Sequence, residues 1–171
     1  IFACNGILFN HESPLRGETF VTQKIVNGLV DIKLGIKQKL FLGNLYAKRD
    51  WGHAHDFVKA MWLMLQKPKP DDYVIATGSQ ITVKEFINRT AKKLSLNLKW
   101  IGKGINEKAI NKENKKVIIE CKNKYFRPTE VRSLLGKAEK AKKVLKWKPY
   151  KSLDNLIDEM IKFKLEKKFK L

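Results

Sequence analysis

Phe2-Ala3-Cys4-Asn5-Gly6-Ile7-Leu8-Phe9 is a largely apolar run, and the turn-forming residues Asn10-His11-Glu12-Ser13-Pro14 follow it directly. A short apolar run bounded by such residues predicts a buried strand that ends in a loop. A helix is predicted next, over residues 19–34, and Gly35 is well placed to end it. The apolar residues of that helix recur at helical spacing: Phe20, Ile25, Leu29 and Ile32.

The alternation of strands and helices continues along the rest of the chain. Further strands are predicted over residues 39–43, 73–76, 98–101 and 117–121. Further helices are predicted over residues 53–66, 82–94, 139–145 and 152–168. The inward-facing residues predicted for the first of them are Phe57, Ala60, Met61, Leu63 and Met64, and the apolar stripe predicted for the last is Leu153, Leu156, Ile157, Met160 and Ile161. The capping box Thr82-Val83-Lys84-Glu85 opens the second of these helices, and the Lys-rich residues 102–116 predict a flexible loop. The alternation defines the α/β class, and the short elements from about residue 79 onward predict a small cap packed on an incomplete sheet.

The chain is strongly basic, with 36 Lys and Arg against 17 Asp and Glu and a net charge of +19. Such a balance is typical of proteins that bind nucleic acids or anionic surfaces. However, most of the basic residues are Lys, and they are dense only over residues 103–124 and in the C-terminal tail. Aromatic residues do not alternate with them as a base-stacking platform requires. Solvated Lys-rich faces are therefore favoured over a nucleic-acid site, and polyanion binding stays as an alternative.

Several motifs of catalytic and metal sites are absent from the sequence. The nearest approach to a Gly-rich phosphate loop, Gly102-Lys103-Gly104-Ile105-Asn106-Glu107, lacks the third glycine. No tyrosine is followed four residues later by a lysine. His53 and His55 cannot share one helix face, so their segment predicts a helix N-terminus with local hydrogen bonds. We therefore predict neither a catalytic nor a metal-binding residue in this chain.

Cysteine usage and hydropathy bear on the cellular compartment. Cys4 and Cys121 lie far apart and have no ligand-type spacing, which predicts reduced thiols in a cytosolic protein. No stretch approaches the ~18 apolar residues of a membrane span. The chain opens at Ile1, inside an apolar run and without an initiator Met, which predicts that it is truncated upstream.

Two short segments carry side chains suited to binding. Arg49 precedes a predicted helix, and its planar guanidinium suits two phosphate oxygens, with Asp50 expected to hold that group in place. Arg127 and Glu130 pair a cation with a carboxylate at i and i+3. The cation suits a phosphate, and the carboxylate suits a ribose diol or a base edge. Taken alone, both segments favour ordinary surface ion pairs.

The segments that contain these residues resemble one family in order and over nearly the whole chain. The matching blocks are Asn5-Gly6-Ile7-Leu8-Phe9-Asn10-His11-Glu12-Ser13-Pro14, Arg16-Gly17-Glu18-Thr19-Phe20-Val21-Thr22, Leu42-Gly43-Asn44-Leu45, Arg49-Asp50-Trp51-Gly52-His53-Ala54, Ala60-Met61-Trp62, Tyr73-Val74-Ile75-Ala76-Thr77-Gly78 and Tyr125-Phe126-Arg127-Pro128-Thr129-Glu130-Val131. They resemble the GDP-mannose 4,6-dehydratases, which are extended short-chain dehydrogenases. The run from Asn5 to Pro14 separates this family from related GDP-sugar reductases and epimerases.

The resemblance implies the C-terminal portion of an extended Rossmann-type enzyme. In the family, NADP takes hydride from C4 of GDP-mannose, water leaves from C5 and C6, and the hydride returns to C6. The product, GDP-4-dehydro-6-deoxymannose, is a precursor of GDP-fucose and related sugars. The catalytic Tyr, Lys, Thr or Ser, and Glu of the family precede the equivalent of Ile1. Residues 1–78 would then be the remainder of the dinucleotide-binding domain interleaved with substrate-binding segments, and residues 79–171 mostly the substrate-binding domain.

The resemblance also assigns roles to individual residues. His11 and Arg16 match contacts to NADP. A second group matches contacts to GDP-mannose: Asn5, Lys24, Arg49, Arg127 and Glu130. The sequence departs from the family at Leu15, which replaces a basic residue, and at Lys146, which replaces a glycine.

Taken together, these features predict a chain that binds a GDP-sugar without turning it over. The resemblance implies a cytoplasmic protein that forms a homodimer or homotetramer as part of its full-length parent. Two alternatives stay open, namely a polyanion-binding module and a non-catalytic remnant.

Overall fold

The computed structural model describes residues 1–127 and 129–169. Its helices are α1 (Val21–Lys33), α2 (Ala54–Leu65), α3 (Val83–Lys93), α4 (Glu139–Val144) and α5 (Leu153–Phe169). Its strands are β1 (Gly6–Leu8), β2 (Asn10–Glu12), β3 (Leu40–Leu42), β4 (Lys48–Arg49), β5 (Trp51–His53), β6 (Tyr73–Ile75), β7 (Ile81–Thr82), β8 (Leu98–Ile101), β9 (Lys108–Asn111) and β10 (Val117–Cys121). The predicted α/β class is confirmed.

The first layer is built on two successive parallel pairings of one extended stretch. β1 pairs with β6 so that Leu8 lies opposite Ile75, and β2 then pairs with β5 so that Asn10 lies opposite Trp51. Because residues 6–12 run almost straight through both pairings, the end of β6 lies beside the start of β5. This register brings the loop after β6 close to Asp50, which directly precedes β5.

The buried strand predicted over residues 2–9 is only partly correct. The strand is three residues long, and Ile7 is 55% exposed. The side chain of Phe2 is also largely exposed. β1 is paired along one edge only, and none of the elements in residues 1–127 and 129–169 covers the outward side of Ile7. An apolar run therefore marks a strand here, although its burial depends on neighbours that the run itself does not specify.

The second layer is a four-stranded mixed sheet in the order β3-β10-β9-β8. The flexible loop predicted over residues 102–116 is wrong, because β9 lies inside this sheet between β10 and β8. Ala109 and Asn111 point inward and are buried, whereas Lys108 is exposed. The high lysine content of residues 102–116 made the strand alternation of β9, in which every second residue faces the core, hard to recognise in the sequence.

Two apolar clusters fill the interior. The larger one packs α1, α3 and α5 against the mixed sheet, and Ile25, Phe86 and Leu156 are fully buried in it. The smaller one packs α2 and α4 around β6, with Phe57 and Trp147 in an edge-to-face contact at 6.1 Å. The stripe predicted on α5 is confirmed by its four buried residues Leu156, Ile157, Met160 and Ile161.

Helix ends follow local rules more closely than helix faces do. The hydroxyl of Thr82 accepts a hydrogen bond from the backbone N–H of Glu85 at 3.0 Å, as the capping box predicts. Gly35 has φ of +73° just after α1, in the left-handed region that favours glycine. On α2, Phe57, Ala60 and Met64 are buried as predicted, but Met61 is 40% exposed. Successive helical residues turn by about 100°, which rotates Met61 out of the face that α2 presents to β5 and β6.

Candidate functional site

Arg49 and Glu130 form the centre of the candidate site. The Arg49 Nη2 atom lies 3.4 Å from Glu130 Oε1, and both side chains are largely buried. Arg49 Nη1 donates to the backbone carbonyls of Lys48 and Val131, each at 2.8 Å. The guanidinium is therefore held in one orientation by two carbonyls and one carboxylate, which use three of its five N–H donors and leave two for a ligand.

Asp50 does not hold Arg49 as the sequence led us to expect. Its side chain is fully buried and points into the layer, where it accepts hydrogen bonds from the backbone N–H groups of Thr77 and Gly78 at 3.0 and 2.9 Å. The Thr77 hydroxyl and the Gly136 N–H also donate to it. The reason is strand alternation, because adjacent residues of an extended chain point to opposite sides.

Arg127 lies apart from this ion pair in the described chain. It is exposed, and Glu130 pairs with Arg49 rather than with Arg127 as the i, i+3 spacing suggested. The segment before it adopts a short 3₁₀ turn at Asn123–Tyr125 and is extended at Phe126. Since residues 126, 127, 129 and 130 are not helical, Arg127 and Glu130 do not face one another as i and i+3 residues of a helix would.

His11 and Arg16 line one cleft, together with Leu8, Phe9, Asn10 and Leu134, of about 350 Å³. His11 stacks on Phe57 with ring centroids 5.0 Å apart, and its Nδ1 lies 2.9 Å from the Phe9 carbonyl oxygen. The guanidinium carbon of Arg16 lies 3.5 Å from the centre of the Phe20 ring. The two residues that the resemblance assigns to the cofactor thus share a wall of one cleft.

Glu12 supports the Arg16 side of this cleft from below. Its carboxylate is buried, accepts a hydrogen bond from the Thr22 hydroxyl at 2.8 Å, and lies 3.2 Å from Arg16 Nε. Burial raises the pKa of Glu12, and the Thr22 hydrogen bond and the charge of Arg16 oppose that rise only in part. Glu12 and the Phe20 ring together hold the Arg16 side chain at the cleft.

Lys24 lies in a different cleft, beside Tyr125. Its Nζ atom is 3.7 Å from the centre of the Tyr125 ring, and burial lowers the pKa of the lysine. Lys37, Lys39 and Lys164 line the same cleft of about 280 Å³ together with Glu18 and Asp31, so its cations outnumber its carboxylates. An aromatic ring beside several lysines can hold a planar base and a negatively charged group.

Asn5 is separate from all of these residues. Its side-chain amide donates to Asp72 at 2.8 Å, and its backbone N–H donates to the same carboxylate oxygen at 3.2 Å. It is exposed at the start of β1. In the described chain it ties the strand to the loop before β6.

Sequence reasoning missed the residues that share a cleft with Arg49. This cleft of about 390 Å³ is also lined by Thr77, Ser79, Arg89 and Lys151. Arg89 is anchored by Glu85 at 2.9 Å and by Asp154 at 3.4 Å. The i, i+4 spacing of Glu85 and Arg89 was visible in the sequence, but the approach of α5 to α3 was not. The three cations Arg49, Arg89 and Lys151 outnumber the one carboxylate of the lining, Asp154, so the cleft has a net positive charge that suits an anion.

The other sequence interpretations concern metals, thiols and membranes. No group of three or more His, Cys, Asp or Glu side chains that could hold a metal occurs among the described residues. The Nδ1 atom of His53 accepts the backbone N–H of His55 at 3.1 Å, which confirms the predicted helix N-terminus. Cys4 and Cys121 are both free thiols. Within residues 1–127 and 129–169, no helix has the length and apolar character needed to span a bilayer.

Solved structures identify the class of fold. The chain superposes on RMD from Pseudomonas aeruginosa complexed with NADPH with a TM-score of 0.77 and 17% identity, over 95% of this chain and 48% of that one. It superposes on dTDP-glucose 4,6-dehydratase from Bacillus anthracis in complex with NAD with a TM-score of 0.72 and 19% identity, over 96% and 45%. The protein therefore shares its α/β fold, part of a Rossmann-type fold, with nearly half of each of these two chains.

Sequence relatives define the family within that class. The sequence model described as GDP-mannose 4,6 dehydratase matches residues 1–160. The chain is 49% identical to GDP-mannose 4,6-dehydratase of Vibrio cholerae serotype O1 over 97% of its length, and 51% identical to GDP-mannose 4,6 dehydratase of Homo sapiens over 94%. It belongs to the GDP-mannose 4,6-dehydratase family, and it spans 47% and 43% of these two relatives.

Proposed function

We propose that this chain is the GDP-sugar-binding portion of a GDP-mannose 4,6-dehydratase, which converts GDP-mannose to GDP-4-dehydro-6-deoxymannose. The observation that carries the proposal is the half-buried pair of Arg49 and Glu130. Its guanidinium, fixed by two carbonyls, suits a diphosphate, and its carboxylate suits a hydroxyl-bearing sugar. Arg127, Lys24 and Asn5 would contribute further substrate contacts.

The proposed parent enzyme uses NADP, and the residues present fit one edge of such a cofactor. His11 offers a ring stacked on Phe57, and Arg16 offers a cation at the same cleft. A guanidinium suits a phosphate, and an imidazole beside backbone carbonyls suits a ribose hydroxyl. When bound, NADP would accept and return the hydride of the reaction. His11 and Arg16 would hold and orient the cofactor.

Chemistry is proposed to require residues outside this sequence. A hydride cycle needs a positioned base as well as the cofactor, and the family's Tyr and Lys have no counterpart in this sequence. We expect no turnover when this chain is incubated with NADP and GDP-mannose. Formation of the 4-dehydro-6-deoxy product by this chain alone would contradict the proposal.

The remaining proposals concern organisation and context. Residues 1–78 would contribute to the dinucleotide-binding domain and residues 79–171 mostly to the substrate-binding domain. The parent would be a homodimer or homotetramer in the cytoplasm, and the free thiols Cys4 and Cys121 fit the reducing conditions of that compartment.

The test is calorimetric titration of this chain with GDP-mannose at low and moderate salt. Binding that survives moderate salt and weakens at least tenfold in Arg49→Ala would support the proposal, since a charged hydrogen-bond donor contributes roughly 1.5–3 kcal/mol. Lys142→Ala is the matched control, because Lys142 is an exposed cation on α4 and carries the same charge. UDP-glucose serves as the competing nucleotide-sugar.

A polyanion-binding function is the alternative, and exposed lysines on the mixed sheet favour it. Lys99 and Lys108 are exposed on neighbouring strands β8 and β9. This alternative predicts binding of a short DNA duplex with a steep salt dependence and no heat from GDP-mannose. That pair of results would replace the dehydratase-portion proposal, whereas absence of binding to both ligands would favour a non-catalytic remnant.

A further inference from the structure

Asp50 is a fully buried carboxylate that collects four hydrogen bonds. Its Oδ1 atom accepts the backbone N–H and the hydroxyl of Thr77, and its Oδ2 atom accepts the N–H groups of Gly78 and Gly136. The N–H contacts measure 3.0, 2.9 and 3.3 Å, respectively. An ionised carboxylate has about four acceptor positions, so the donors around Asp50 use all of them.

The four donors come from two segments that are distant in sequence. Thr77 and Gly78 belong to the loop after β6, which the register of the parallel strands brings beside the start of β5. Gly136 belongs to the segment after Glu130. A Cβ atom at position 136 would overlap the side chain of Ala76, so only glycine allows this close approach. Asp50 therefore joins three segments at one point.

The segment from Val131 to Leu134 runs alongside β4. The N–H of Lys48 donates to the carbonyl of Arg132 at 2.9 Å, and the N–H of Leu134 donates to the carbonyl of Lys48 at 3.1 Å. Arg49 reaches the same segment through the carbonyl of Val131 at 2.8 Å. The position of Glu130 relative to Arg49 thus depends on how firmly this segment lies on β4.

We propose that Asp50 is a positioning residue that sets the spacing of Arg49 and Glu130. Its carboxylate binds Gly136, two residues beyond this segment, and Thr77 in the layer beneath. These contacts fix the segment on β4 and keep Glu130 within reach of Arg49. The effect on ligand binding rests on the proposed GDP-sugar function. The effect on the segment does not, because it follows from hydrogen bonds within the chain.

The test compares Asp50→Asn with Glu107→Gln in amide hydrogen exchange and in titration with GDP. Asparagine has the shape of aspartate, but its side-chain NH₂ group is a donor. It would face backbone N–H groups that now donate to the carboxylate, and it cannot accept their hydrogen bonds. Glu107 is a matched buried carboxylate with partners elsewhere, Tyr46 and Lys84. We expect the Leu134 amide to exchange at least tenfold faster in Asp50→Asn, relative to the amides of α3, and to keep its rate in Glu107→Gln.

A milder variant allows the same test if Asp50→Asn does not fold. Thr77→Val removes one of the four donors, together with the two hydrogen bonds of the hydroxyl to the Ser79 backbone, and nearly keeps the shape of the side chain. We expect the same change in exchange of Leu134 at smaller amplitude. Unchanged relative exchange of Leu134 in Thr77→Val and in folded Asp50→Asn would overturn the proposal.

The binding measurement separates the two proposals. If the wild-type chain binds GDP, a dissociation constant raised about tenfold in Asp50→Asn and unchanged in Glu107→Gln supports the positioning role. An equal affinity of Asp50→Asn and wild type would overturn it. If the wild-type chain does not bind GDP or GDP-mannose, the proposed function fails, and the exchange of Leu134 still decides whether Asp50 positions the segment.

Discussion

Arg49 and Glu130 meet at 3.4 Å although 81 positions separate them along the chain. The contact exists because residues 131–134 lie beside β4, so the approach of Glu130 follows from backbone hydrogen bonds rather than from attraction between the two charges. Electrostatic attraction between partly buried groups then adds to a geometry that is already set. Because the backbone sets this geometry, Arg49 and Glu130 are preorganised and a ligand can bind them without rearranging the two side chains.

Arg49→Lys is expected to weaken binding of GDP although it keeps the charge. A lysine ammonium cannot reach the carbonyls of Lys48 and Val131 and also present two parallel donors to a phosphate. We expect the dissociation constant for GDP to rise about tenfold, measured by calorimetry. Lys142→Arg on α4 is the matched control. An affinity of Arg49→Lys equal to that of wild type would show that charge alone is recognised.

The stability of the Glu12→Gln variant, relative to that of the wild-type chain, is expected to increase as the pH rises. Burial raises the pKa of Glu12 above its ordinary value of 4.5, so the folded chain prefers the protonated carboxyl. The stability from this preference is fully present below 4.5 and is lost as the pH passes the raised pKa. The variant does not titrate and can still accept the Thr22 hydrogen bond.

The measurement is urea denaturation of both proteins at about pH 4 and about pH 7. We expect the unfolding free energy of Glu12→Gln, minus that of wild type, to be larger at the higher pH. Glu18→Gln changes the same charge at an exposed position and is the control. A difference that falls with pH would mean that the charge of Arg16 outweighs the burial of Glu12.

Lys146→Gly is expected to stabilise the chain. Lys146 follows α4 with φ of +54°, and the N–H of Trp147 bonds back to the carbonyl of Ala141 at 3.4 Å. This φ places Lys146 in the left-handed region, which favours glycine. Glycine adopts it without the Cβ penalty, so we expect a gain of roughly 0.5–1 kcal/mol in urea denaturation.

The control for that substitution lies one turn earlier. Lys142→Gly places glycine inside α4, where it should cost about 1 kcal/mol. A loss of similar size in Lys146→Gly would mean that the lysine side chain contributes more than its backbone conformation costs.

Gly43→Ala is expected to displace the segment that leads to Arg127. A Cβ atom at position 43 would overlap the backbone carbonyl of Tyr125, which cannot rotate away as a side chain could. We expect a loss of roughly 1–3 kcal/mol in urea denaturation. In Gly17→Ala the added atom would meet only the Phe20 side chain at 3.4 Å, so this control should lose little. Equal losses in the two variants would contradict the predicted overlap.

Local signals in the sequence predicted the elements that depend on neighbouring residues. The Thr82 cap, the stop at Gly35 and the buried stripe of α5 are all present, because each is determined by interactions within a few residues along the chain. Periodicity failed for β9, where lysines on the exposed face concealed the alternation. It also failed for Met61, whose exposure depends on the exact rotation of α2 over β5 and β6.

The sequence by itself determined the α/β class, the helix ends and the family, since these follow from propensity, local hydrogen bonds and matched blocks of residues. Only the tertiary structure decided which side chains meet. It paired Glu130 with Arg49 and directed the Asp50 side chain toward Thr77 and Gly136. It also brought Arg89 to the cleft that Arg49 lines. The physical reason is that strand register and helix packing, which act between distant segments, set these distances, whereas sequence spacing constrains only residues within a turn or two.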